Sequence, residues 1–168
     1  MGFKKTSETI AVSFGLTETA PATFIQDEIA LQLDVLNNEI FVVVAVDLDL
    51  DAPDAIAGQN TSVNASVSST SLTTLGNLSN SNVIANGSEA IRAAGFVDGG
   101  VTFTRTASTT PTGDVMYISL IATNNFFVQL DTAGNPGLKT VNGRLLGYRA
   151  RADSSTYAAL VQSEVLSA

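Results

Sequence analysis

The chain has no cysteine, no histidine and no tryptophan. Without cysteine, disulfide scaffolds, thiolate metal sites and thiol nucleophiles are excluded. Without histidine, the commonest general base and the commonest metal ligand are missing as well. Positive charge is also scarce, with eight Lys plus Arg against sixteen Asp plus Glu, a net charge of −8. The basic pairs are Lys4-Lys5 and the spaced Arg149 and Arg151. A protein that grips phosphates needs a basic stripe, so little direct nucleic-acid contact is expected. No apolar run approaches the ~18 residues of a spanning helix, and Met1 to Thr6 leads into no apolar stretch of a signal peptide. The sequence therefore reads as made in the cytoplasm without a signal peptide and without a membrane-spanning segment.

Charged residues make up 14% of the chain and hydrophobic residues 45%. The charged share is well under the usual quarter. Ser, Thr and Asn must cover the surface instead, in runs such as Asn60-Thr61-Ser62 and Ser66 to Ser71, which suit strand faces and loops better than helices. Uncharged faces of this kind are also what packed subunit interfaces tolerate. At 168 residues the chain is long enough to bury one core without staples. It divides on paper into an N-terminal arm with one strand, 1–27, and a single β-sandwich domain, 28–168.

The alternation that dominates is period-2. Ile29, Leu31, Leu33 and Val35 alternate with Ala30, Gln32, Asp34 and Leu36, and after Asn37-Asn38 a second run, Ile40, Val42, Val44, Val46, Leu48 and Leu50, resumes the pattern. The two runs read as a central hairpin over 28–53, with strands at 29–36 and 40–50. Further strands are expected at 9–16, 62–67, 101–106, 115–122, 126–130 and 145–152, with a turn at 110–114 and another at 131–137. Asn142-Gly143 has the composition of a two-residue hairpin loop. Helical signals are confined to 88–94, where Glu89 to Ala94 are good formers before Gly95, and to a segment from Ser154 or Ser155, where Tyr157, Leu160, Val161 and Glu164-Val165 fall at helical spacing. About eight strands and two short helices make this a mainly β protein, an antiparallel sandwich or barrel.

One cluster invites chemistry. The far face of the 40–50 strand ends in Asp47, Asp49 and Asp51, with Asp54 beyond. The D-x-D-x-D opening resembles a calcium loop, but Ala52 stands where that loop needs Gly and Gly58 where it needs Glu. Alternate strand residues also lie ~6.5–7 Å apart, too far for three carboxylates to meet one ion. Asp47, Asp49 and Asp51 are thus expected at a solvated or subunit-interface face, with a divalent cation the one cofactor left open. Gly134 to Thr140 fails as a phosphate loop because Leu138 separates Gly137 from Lys139, and the Asn-x-Ser/Thr triplets at 60, 64, 77 and 86 are compositional. Aspartate pairs serve as acid and base in glycoside hydrolysis, but such clefts have aromatic walls, and there are only three Tyr. No catalytic residues are assigned and no enzymatic activity is expected.

The N-terminal arm, the seven strands from 29 to 152 named above and the short helix at 88–94 together resemble the single jelly-roll coat proteins of icosahedral viruses. That resemblance implies a structural subunit that self-assembles in many copies into a virion shell, in contact with itself and with other virion proteins. The alternative of a different kind is a phage fibre, decoration or other adhesive β-sandwich module. Ile10, Val12 and Phe14, on an arm that reaches a neighbour's sheet edge, and Arg149 and Arg151, facing the aspartates, are the candidate interface residues. Far-ultraviolet circular dichroism should be dominated by β-structure; a helix-dominated spectrum contradicts the reading.

Overall fold

The period-2 segments pair into two antiparallel five-stranded sheets. The computed structural model describes residues 2–95, 103–108 and 116–167. Among these the strands are β1 (Phe3–Lys5), β2 (Ile10–Thr17), β3 (Ile25–Ala30), β4 (Glu39–Leu50), β5 (Thr61–Ser68), β6 (Val83–Arg92), β7 (Phe103–Ser108), β8 (Ser119–Ile121), β9 (Asn125–Ala133) and β10 (Thr140–Ala152). A 3-10 turn at Val35–Asn37 precedes β4, and helix α1 (Ser154–Ser167) follows β10. The first sheet runs β1-β10-β4-β8, with β2 also on β10; the second runs β3-β9-β5-β6-β7. The chain crosses repeatedly from one sheet to the other, which is the order of a jelly-roll-like sandwich.

The expected central hairpin does not form. β3 belongs to the second sheet and β4 to the first, so 31–38 is a crossing between layers. Leu31 and Leu33 are buried as strand residues would be, but Gln32 has a positive φ of 53° and Asn38 one of 54°, so the backbone bends at both. The apolar alternation recorded burial and not pairing. The helix expected at 88–94 is likewise overturned: Glu89 to Arg92 lie in β6, held between β5 and β7. Ladder bonds on both sides outweigh a weak helix preference. Asn142-Gly143 is no loop either, since β10 runs through it with β2 and β4 on its flanks. A Cβ on Gly143 would lie 2.5 Å from Asp47 O and 2.5 Å from Phe14 Cζ, so glycine serves close approach there, not a turn. Of the expected strand 115–122, the ladder holds Ser119 to Ile121; the turn at 110–114 lies outside the described residues.

The main core lies between the sheets, where Phe41, Phe126, Ile121, Leu130 and Leu145 are fully buried. Phe14 and Phe126 meet edge to face with centroids 5.9 Å apart. β4 changes phase within its length. Phe41 and Val43 face this core, and so do Val46, Leu48 and Leu50, because the pairing with β10 shifts between Leu146 and Gly147 and leaves Val44 without a partner. This is a β-bulge. A Cβ on Gly147 would lie 2.2 Å from Val42 O, so only glycine fits opposite the bulge.

Ile40 and Val42 therefore face outward, where they join Ala150, Ala152 and Tyr148 beneath Tyr157, Leu160 and Val161 of α1. The helix begins at a cap: Asp153 Oδ1 accepts the Thr156 N–H at 2.8 Å and the Ser155 hydroxyl at 2.9 Å. These bonds hold the Asp153 carboxyl below its ordinary value.

The outer face of the second sheet is glued by polar groups. Gln129, fully buried, accepts from Ser66 Oγ at 2.7 Å and donates to Ser68 Oγ and Gln26 Oε1, each at 2.8 Å. Gln26 in turn holds Ser71 and the Leu72 N–H, and Ser66 accepts the Gly76 N–H. The segment 69–82 is thus tied onto the sheet through the Gln26 amide and the Ser66 and Ser68 hydroxyls, which Gln129 holds together. Gln129→Leu should cost at least about 2 kcal/mol in urea unfolding, since two or more buried groups lose partners. It should also speed proteolysis within 69–82; an unchanged midpoint and cleavage pattern would contradict this role.

Candidate functional site

Past the bulge, the outward positions of β4 are Ala45, Asp47 and Asp49, followed by Asp51, and α1 does not reach them: it packs on Ile40, Val42, Ala122 and the end of β10. The outer face of the first sheet is therefore half covered and half open. On the open half the register places Arg144 between Asp47 and Ser13, and Asn142 between Asp49 and Gly15. Ser13, Asp47, Asp49, Asn142 and Arg144 line a depression of about 510 Å³. A smaller hollow of about 230 Å³ adjoins it, lined by Asp49, Asp51, Thr140 and Asn142. Thr140 and Thr17 share a hydroxyl hydrogen bond of 2.9 Å beside it.

All three aspartates are exposed. Among the described residues no group of three carboxylates is arranged to hold a metal ion. The strand spacing explains why: three alternate residues on an extended strand cannot converge. What the arrangement offers is an open acidic and amide-bearing depression with one guanidinium in it.

The other residues singled out from the sequence lie elsewhere. Ile10, Val12 and Phe14 are on β2, paired to Gly147, Leu145 and Gly143 of the same chain, with Phe14 in the core and Ile10 at its exposed end. Arg149 and Arg151 are at the opposite end of the sheet from the aspartates, opposite Phe41 and Glu39 on β4. Arg149 donates to Leu31 O at 2.7 Å and Gln32 O at 3.0 Å and pairs with Glu39. Arg151 donates to Asn37 O at 3.1 Å and to the Asn37 side chain. Both arginines hold the crossing between sheets. Among the described residues, the cation paired opposite the acidic face is Arg144.

That crossing carries an exposed apolar tip. Leu36 is 95% exposed and Val35 beside it 47%, on a turn fixed by Arg149, Arg151, an Asn37–Asp34 side-chain bond and the Glu39 N–H to Asp34 O. At the far end of the sandwich a second polar knot ties loops to strands. Glu18 accepts from Thr132 Oγ1 and the Lys139 N–H, and Lys139 Nζ pairs with Asp54 at 2.9 Å. The lysine of the phosphate-loop look-alike is thereby engaged by a carboxylate of its own chain.

Sequence reasoning placed Glu164 on the terminal helix but gave it no role. It sits on the α1 stripe with Tyr157, Leu160 and Val161, where a carboxylate among apolar neighbours was the available signal. Glu164 is buried and its Oε1 accepts the Ala122 N–H at 3.0 Å. No protein-family model matches the chain, and no curated protein matches it.

Burial pushes the Glu164 carboxyl above its ordinary value, partly offset by the hydrogen bonds from Ala122 and Thr123. The folded chain thus keeps this proton to higher pH than the unfolded chain does. Glu164 favours the fold at low pH, and that contribution is lost as pH rises through the folded value. Glu164→Gln, which keeps an acceptor for Ala122, should raise the melting temperature near neutral pH and leave it unchanged in mild acid. An equal shift at both pH values would contradict the burial of this charge.

Proposed function

We propose that this chain is a structural, non-catalytic subunit that self-assembles in many copies into the coat of a virus particle. The observation that carries the reading is the tip at Val35-Leu36. A solvent-exposed Leu on a turn held by two arginines is an anchor whose ordering has already been done, and preorganised apolar anchors dominate interface energies. The jelly-roll-like order supports it, since coat subunits use this fold, as lectins and cupins do. The acidic half-face of Asp47, Asp49 and Asp51 is the second proposed contact, where a basic or amide-bearing neighbour offsets carboxylates that repel one another. The edge formed by β2, with Ile10 at its exposed end, is the third, because an edge strand has unpaired ladder groups for a neighbour. The deficit of basic residues fits a shell that does not hold its genome by charge.

The second reading, a fibre, decoration or adhesive module, is favoured by the open hydroxyl and amide groups around Ser13, Thr140 and Asn142 beside the aspartates. The two readings differ in stoichiometry. Native mass measurement and negative-stain microscopy should find closed shells for a coat subunit and small closed oligomers for a fibre module. Leu36→Asp, which touches no core residue, should leave the melting temperature unchanged and shift the assembly to small species in light scattering. A wild-type protein that stays monomeric at high concentration across pH and salt would overturn the coat reading.

A further inference from the structure

β2 pairs with β10 along its full length, Ile10 to Thr17, and among the described residues no strand lies on its other side. In the same register the Glu18 N–H donates to Lys139 O at 3.0 Å, which marks that pair as hydrogen-bonded. Antiparallel ladders alternate, so Leu16, Phe14, Val12 and Ile10 are the β2 residues bonded to β10. Ala11, Ser13, Gly15 and Thr17 therefore aim their N–H and C=O groups away from the sheet, and all four are exposed. Edge strands are ordinarily blunted by shortness, charge or proline. Here β1 and β8 have three residues each, β1 carries Lys4 and Lys5, and β3 carries Asp27 and Glu28. β2 has eight residues, no charge and no proline.

The strand's own pattern says what fits beside it. Val12-Ser13-Phe14-Gly15-Leu16 has the same character in both directions: half-buried aliphatic, small, core aromatic, small, half-buried aliphatic. A two-fold antiparallel pairing needs such a palindrome, because each residue then meets its mirror position. Centred on Phe14, it sets Ala11 opposite Thr17 and Ser13 opposite Gly15. All four outward residues then fall in hydrogen-bonded pairs, for about eight ladder bonds at two per pair. Slid one pairing step either way, Ala11 or Thr17 falls opposite a residue outside the strand. On the core side Val12 meets Leu16, an apolar cross-strand pair, and on the outer face only small side chains meet. The absence of charge on this edge also spares two copies of an acidic chain a like-charge meeting there.

We infer that two copies of the chain pair β2 against β2 about a two-fold axis at Phe14, so that β4-β10-β2 of one copy continues into β2-β10-β4 of the other as one sheet. The inference rests on the proposed use of the β2 edge and fixes what fills it, but it does not rest on the shell.

The chain has no cysteine, so single-cysteine variants of the full chain carry spin labels at chosen positions. The two Ser13→Cys backbones should lie about 8 Å apart beside the axis, and the two Ala11→Cys backbones roughly 20 Å apart, the rise from Ala11 to Thr17. Electron paramagnetic resonance should accordingly show short-range broadening for the first and a resolved separation of that order for the second. Ser13→Pro removes an outward N–H and touches no bond to β10, a position where an edge tolerates proline. It should lower the mass of the assembly at least about twofold in light scattering. Should Ser13→Pro fail to fold, the two label distances decide. Dimers that show both distances and build no shell uphold the pairing and count against the coat. Shells without the Ser13→Cys broadening uphold the coat and overturn the pairing. A chain that stays monomeric at high concentration, or a folded Ser13→Pro of unchanged mass, overturns the pairing as well.

Discussion

One unpaired residue, Val44, sets which way the longest apolar strand of the first sheet faces. β4 and β10 pair over eleven positions, and the shift between Leu146 and Gly147 lets β4 turn over while β10 keeps its phase. Before the shift Phe41 and Val43 face the inter-sheet core; after it Val46, Leu48 and Leu50 do. Without that shift a strict alternation would carry Asp47 and Asp49 inward on the same face as Phe41 and expel the two leucines. Burying unpaired carboxylates costs several kcal/mol each, a large part of a domain's stability. The bulge thus makes one strand apolar on both faces beneath α1 and amphipathic beyond it, which leaves the acidic half-face open.

The second constraint is the way a chain poor in charge satisfies its backbone. Serine, threonine and asparagine suggested exposed strand faces, and several of them are instead interior glue. Ser66 and Ser68 are fully buried around Gln129, and Thr132 binds the buried carboxylate of Glu18. Small hydroxyls reach neighbouring backbone and amide groups without the entropy cost of long side chains. Loops are consequently fixed at both ends of the sandwich, and the Leu36 tip is presented on a rigid support.

Much of the fold was legible because strand burial leaves a period-2 record. The strands at 9–16, 40–50 and 62–67 match β2, β4 and β5 within a residue or two, and the terminal helix starts at Ser154 as its spacing implies. What failed was pairing. Ile29 to Val35 alternates because Leu31 and Leu33 reach the core from a crossing, and no local pattern distinguishes that from a strand. Gly143 looked like a turn because Asn-Gly is a turn dipeptide, whereas its glycine answers to Phe14, distant in sequence. The helix at 88–94 was lost to two neighbouring strands for the same reason. The acidic face was legible as residues but not as a location, since the bulge that turns it outward depends on Gly147. Glu164 meets the Ala122 N–H only through tertiary packing.

The phase change in β4 is open to direct measurement. In a methyl-labelled sample, nuclear Overhauser contacts should place Val43 and Val46 with the same interior partners, Leu145 and Ile121 among them, while Val42 contacts Tyr148 and Leu160 on the helix side. Val46 sharing its contacts with Val42 and α1 would mean an unbroken alternation, and the division of the sheet into a covered half and an open acidic half would fall with it.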